Sequence, residues 1–196
     1  MKRILFILLI VGLMIPTRLM SQKVYEENNK VIFDLTEYAG MPPGAITAIK
    51  KYTGNYTSNN NLFLVDKAFA DSENGKVFQK LEIAPHDMNG GILGTGSTMQ
   101  WNAAFNNCKG LLYDSGGWRL PTQRELMLMY IFKPALEDIL AEVSGSAFSI
   151  NYYWSATEEN SDFAFSVNFN AGTMSNINRS VKTSNNIVRC VREVED

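Results

Sequence analysis

From Asp162 to Asn170 apolar and polar positions alternate: Phe163, Phe165, Val167 and Phe169 fall on one side, Ala164, Ser166 and Asn168 on the other. A period of two predicts a strand with one covered face. Asn170-Ala171-Gly172-Thr173 follows as a hairpin turn, with Gly172 available for positive φ. Thr173 to Asn178 is then expected to return antiparallel. Val77 to Ile83 alternates too, with Val77, Leu81 and Ile83 on one side, and Tyr152 to Ser155 reads as a further strand. Ile187 to Val194 closes the chain; Ile187, Val188, Cys190 and Val191 are apolar, so it is expected to lie centrally with both faces partly covered. Between these runs the spacing becomes helical. Trp101, Ala104, Phe105, Cys108 and Leu112 form one stripe behind Ser97-x-x-Gln100, which has capping-box spacing. Leu126, Met127, Met129, Tyr130 and Ile131 begin another helix. Pro134 interrupts it, and Leu136, Ile139, Leu140 and Val143 resume one face up to Gly145. This predicts two short helices or one kinked helix.

The stretch Gly116-Gly117-Trp118-Arg119-Leu120-Pro121-Thr122-Gln123-Arg124-Glu125-Leu126 organises the rest. It ends an irregular segment and starts a helix. Thr122 and Glu125 have the spacing of a capping box, in which hydroxyl and carboxylate each accept from the other residue's backbone N–H. Pro121 stiffens the entry and favours an extended Leu120. These residues predict a well-made helix start beneath a buried Trp118.

The motifs also come in a recognisable order. Trp118-Arg119-Leu120-Pro121-Thr122-x-x-Glu125-Leu126 is followed by Tyr153-Trp154-Ser155-Ala156-Thr157-Glu158, by Val167-Asn168-Phe169-Asn170, and by Val188-Arg189-Cys190-Val191-Arg192. This order resembles the C-terminal domain family of the collagen-like (Lcl) bacterial surface adhesins, over about Lys76 to Val194. Ala156 departs from the pattern, where a second small hydroxyl residue belongs. The resemblance implies an α+β, C-type-lectin-like fold, shared with formylglycine-generating enzymes: a twisted, mostly antiparallel sheet with two or three flanking helices.

Ahead of these motifs, Met1-Lys2-Arg3 and the apolar run Ile4 to Ile15 read as a signal peptide over residues 1–21. The run is too short for a span of about 20 residues, so no stable membrane span is expected after cleavage. The expected location is the periplasm, the cell surface or the medium. Removing residues 1–21 leaves 15 basic and 20 acidic residues, a formal charge of −5, which argues against a nucleic-acid partner. The remaining 175 residues suit one domain with a small addition. We divide them into an N-terminal β-rich or linker segment, 22–75, and a lectin-like domain, 76–196. In the first, Lys30 to Leu35 and Leu62 to Val65 read as strands, and Gly40-Met41-Pro42-Pro43-Gly44 as a turn.

The cysteines are Cys108 and Cys190. An oxidising compartment favours a disulfide, and the resemblance places a helix-to-last-strand bridge here; a reactive thiol pair is the alternative reading. The spacing of copper-binding cysteines in formylglycine-generating relatives is missing. His86 is the single histidine and has no signature of a nucleophile or orienting partner. Gly90-Gly91 and Gly94-x-Gly96 match neither a dinucleotide nor a Walker pattern and read as a flexible loop. No enzyme is therefore expected, and an unrecognised one is the weakest reading. Glu158-Glu159-Asn160-Ser161-Asp162 reads as an acidic loop that offers oxygen ligands for Ca²⁺, although the lectin triplets that bind sugar through calcium are absent. Asn170, Asn176 and Asn178 offer amides to hydroxyl-rich ligands. With Glu158 they form the expected ligand surface; Tyr152 and Tyr153 would stack on a sugar face, and Arg179 and Lys182 would form a basic spot. Trp118, Arg119, Pro121, Thr122, Glu125 and Trp154 are expected to be structural. The function expected is a secreted recognition module binding a glycan or surface protein in adhesion. The alternative is a structural subunit of a fimbrial or cell-envelope assembly.

Overall fold

The computed structural model describes residues 23–34, 80–159, 161–170 and 177–194. The expected signal peptide, the turn at 40–44, the strand at 62–65, and Val77, Asn160 and Asn176 lie outside them.

The described chain is α+β. Strands β1 (Lys23–Glu27), β2 (Lys30–Asp34), β3 (Lys80–Ile83) and β9 (Val191–Glu193) form one antiparallel sheet in that order. Strands β4 (Asp87–Asn89) and β5 (Ile92–Gly94) form a small hairpin. Strands β6 (Tyr152–Glu158), β7 (Phe163–Asn168) and β8 (Ile177–Val181) form a third, also antiparallel, sheet. The helices are α1 (Trp101–Gly110), α2 (Gln123–Ile131) and α3 (Lys133–Glu142). Pro134 sits in the first turn of α3, where its missing N–H costs nothing, so the interrupted pattern is two helices.

Residues 23–34 are not a separate unit. Asn28 and Asn29 both take positive φ, the geometry of a two-residue type I′ turn, and close the β1–β2 hairpin. β2 then pairs with β3, Phe33 opposite Leu81 and Val31 opposite Ile83. All four side chains are buried, so the hairpin lies in the same core as the C-terminal strands.

The core has two parts. One lies against α2 and α3 and contains Phe33, Leu126, Met129, Leu136, Tyr153, Val167 and Phe169. The other surrounds α1 with Trp101, Trp118, Trp154 and both cysteines. The sulfurs are bonded at 2.01 Å, with the Cα atoms 5.5 Å apart. Residues 186–191 are all buried, as expected for the closing run, but only Val191–Glu193 is regular strand. The rest is shared among partners: Asn186 bridges to Met99, Ile187 to Tyr153, and the Val188 carbonyl accepts from Met88 N–H at 2.8 Å.

Three expectations are corrected. Ser97 does not cap α1. The chain stays extended through Met99, the helix begins after Gln100, and the first helical N–H, on Trp101, reaches the Lys182 carbonyl at 3.1 Å. The Ser97 hydroxyl accepts instead from Gly90 N–H. Leu112 is not in the stripe, because α1 stops at Gly110; Leu111 takes the buried place and Leu112 is 85% exposed. On β7 the small and polar side is also covered: Ala164, Ser166 and Asn168 are buried while Phe163 and Phe165 are half-buried. Ser166 and Ser180 satisfy each other at 2.9 Å, which permits their burial.

Candidate functional site

The stretch from Trp118 to Glu125 is a hub of backbone and side-chain bonds. Arg119 exchanges two backbone bonds with Val191, at 2.8 and 3.0 Å. Both halves of the capping box form: Thr122 Oγ1 accepts from Glu125 N–H at 3.1 Å, and Glu125 Oε2 accepts from Thr122 N–H at 2.7 Å. The Arg119 guanidinium donates to both Glu125 oxygens, at 2.8 and 2.7 Å, and reaches Glu193 at 3.3 Å. The Pro121 carbonyl accepts from Ala156 N–H at 2.7 Å, and Thr157 Oγ1 accepts from Gln123 N–H at 3.0 Å. Trp118 is buried and donates to the Tyr113 carbonyl at 2.7 Å, and Trp154 to the Met99 carbonyl at 2.8 Å. These bonds tie α2 to β6 and β9.

The expected ligand surface is only partly assembled. Glu158 lies inside the molecule, not in a loop. β6 continues to residue 158, and a register shift between Trp154 and Glu158 turns both Thr157 and Glu158 inward. There the Glu158 carboxylate accepts from Lys182 Nζ at 3.1 Å, with both side chains fully buried. Lys182 lies 4.4 Å from the Trp101 ring centroid. Burial pushes the Lys182 ammonium pKa down, and the Glu158 carboxylate opposes that shift. The pair removes Glu158 from any surface calcium site and Lys182 from any basic spot. Tyr153 is likewise unavailable to a sugar: it is buried, and burial pushes its hydroxyl pKa up. Among the described residues no group of three or more His, Cys, Asp and Glu side chains is placed to hold a metal ion.

Asn170 and Asn178 are exposed, Asn170 just beyond β7 and Asn178 on β8 opposite Ser166. Four of the five β8 residues are exposed: Ile177, Asn178, Arg179 and Val181. Asn178 stands on the Ser166–Ser180 side, its amide donating to Ser180 Oγ at 3.3 Å. Ile177, Arg179 and Val181 stand on the other side, beside Phe165 and Phe163. The Arg179 guanidinium lies 3.7 Å from the Phe163 ring centroid and pairs with Glu159.

Sequence reasoning missed a second buried constellation. Asp87 accepts from Arg189 Nε at 2.6 Å, from the Tyr153 hydroxyl at 3.0 Å and from Ser149 Oγ at 2.9 Å. Arg189, fully buried, also donates to the carbonyls of Ala84, Pro85 and Ser146. An arginine inside the apolar run Val188-Arg189-Cys190-Val191 was the available signal, since a buried charge needs a partner. Asp114 is a further fixed carboxylate. Lys30 and Arg192 hydrogen-bond to it and hold its pKa below the ordinary carboxylate range. Arg192 also reaches Glu82, whose pKa is pushed up by burial despite that bond.

The Lcl C-terminal domain matches residues 67–192, most of the chain. The chain therefore belongs to the Lcl C-terminal domain family, a family of surface-associated, adhesin-like domains. Comparison with curated proteins finds no match to it. Among the described residues no helix is long and apolar enough to cross a membrane.

Proposed function

We propose that the chain is a secreted, non-enzymatic recognition module of C-type-lectin-like fold at a bacterial surface, and that it contacts its ligand through β8 and Asn170. The observation that carries this reading is the exposure of β8. A strand that buries one residue in five adds little to the core, yet it displays an amide on one face and an apolar and cationic row on the other. Binding residues held on a rigid base are the usual arrangement for recognition. The family supports a surface role. The non-enzymatic part is supported by Asp87, Tyr153, Ser149 and Arg189, whose polar groups are turned on one another inside the protein.

The ligand is a glycan or a surface protein, and one experiment separates them. A glycan array, run with and without chelator, is paired with a pull-down from envelope extract. The Asn170→Ala, Asn178→Ala double variant is expected to lose binding in whichever assay is positive, with a melting curve unchanged from wild type. Unaltered affinity in that variant would place the contact elsewhere. The second reading is a structural subunit of a fimbrial or envelope assembly, favoured by Ile177 and Val181, 45% and 40% exposed. It calls for a stoichiometric protein partner and no glycan.

A further inference from the structure

A second group of exposed apolar residues includes none from β8. Ile92 on β5, Leu112 after α1 and Tyr113 beyond it are 67%, 85% and 40% exposed. All three line one cleft of about 670 Å³, together with Leu111, Val143 and His86. Exposed apolar side chains scattered singly are ordinary; two aliphatics and a tyrosine around one concavity mark a place where something docks.

Its electrostatics select the occupant. The cleft lies at the C-terminal ends of two helices: Gly110 and Leu111 close α1, and Val143 and Ser144 follow α3. A helix C-terminus carries roughly half a negative charge. Lys109 in the last turn of α1 offsets that end. The last turn of α3 has no basic residue, and the helix finishes on Glu142, an exposed carboxylate next in sequence to Val143 of the lining. A carboxylate on the negative end of a helix leaves that rim uncompensated. The ligand that complements it brings a positive charge next to an apolar group. The display is also fixed in place: Asp114, adjacent to Tyr113, is bound by Lys30 and Arg192, which ties the turn carrying Leu112 and Tyr113 to β2 and β9.

We propose that this cleft binds a peptide segment of a partner protein in which an aliphatic side chain neighbours a lysine or arginine. The proposal rests on the reading of the chain as a recognition module, but it assigns a surface that β8 does not share. The aliphatic group packs on Ile92 and Leu112, and the cation faces the end of α3.

The test uses the exported protein and three fluorescein-labelled octapeptides, alternating Lys-Leu, Glu-Leu and Lys-Ser, followed by fluorescence anisotropy. The Lys-Leu peptide is expected to bind at least about tenfold more tightly than either of the others, since each lacks one of the two contributions. The Ile92→Ser, Leu112→Ser double variant, altered only at exposed positions, is expected to lose that affinity about tenfold without a change in melting. Glu142→Lys is expected to abolish the preference for Lys-Leu over Glu-Leu. Equal binding of the three peptides, no binding, or wild-type affinity in the double variant overturns the proposal. None of these results touches the β8 reading, which stands or falls on the Asn170 and Asn178 variant in the array and pull-down.

Discussion

Asp87 accepts hydrogen bonds from Arg189, Tyr153 and Ser149, and all three donors depend on it for a negative charge or an acceptor. Its value to the protein lies in what its loss would strand. Asp87→Ala would leave the Arg189 guanidinium fully buried without its carboxylate, and breaking a buried pair from one side costs about 3–5 kcal/mol. Denaturant melts are expected to show a loss of that size; a loss below about 1 kcal/mol would mean that water reaches Arg189 in the variant. Little of this was legible in the sequence, because the two partners lie 102 residues apart. Thr122 and Glu125, three residues apart, were legible, because a capping box is a local pattern with one geometry. Glu158 misled for the opposite reason. Its neighbours Glu159 and Asp162 made it look like loop, while the lysine that makes its burial tolerable, Lys182, comes 24 residues later.

Elements followed the same division. α2 and α3 were readable from periodicity and Pro134, since both act within a few residues. The start of α1 was not, because its first N–H is satisfied by the Lys182 carbonyl, from a part of the chain that no local motif reports. The β1–β2 hairpin was legible only in part. Asn28-Asn29 between two short strands is a strong turn signal, and β2 was read as a strand, but membership of the main sheet depends on β3, far along the chain. That membership has a measurable consequence. Phe33 is fully buried and its ring lies 5.1 Å from that of Phe132 at the start of α3. Phe33→Ala is expected to destabilise the whole protein by about 3–5 kcal/mol. Two-state unfolding monitored by tryptophan fluorescence would register this, since the tryptophans lie in the other half of the core. If the fluorescence transition stayed in place while the hairpin alone melted, the hairpin would be an appendage.

At the scale of the whole molecule, the disulfide joins α1, in the tryptophan-rich half, to the closing run that every described sheet touches. It ties residues separated by 82 positions, so in the chain-entropy account it stabilises by about 4 kcal/mol. Cys190→Ser is expected to lower stability by about 2–5 kcal/mol. Mass spectrometry of non-reduced peptides from protein collected outside the cytoplasm is expected to yield the linked Cys108–Cys190 pair; two free thiols there would contradict the structure. The α+β class and the family were legible at this scale because ordered motifs survive without knowledge of contacts. Which candidate amides stand exposed was not, since exposure is decided by which strands cover which; β8 is exposed on both faces.

The pairing of β2 with β3 sets Asp34 directly opposite Lys80. Cα atoms facing each other across an antiparallel pair are about 4.5–5.5 Å apart. Asp34 and Lys80, with 45 residues of sequence between them, therefore stand side by side like a pair of brackets. The family match begins inside those brackets, at residue 67. Doubling the length of a connection between two such paired ends adds only about 0.6 kcal/mol of closure cost. On closure entropy alone, the Asp34–Lys80 pairing would therefore tolerate a connection much longer than the present one.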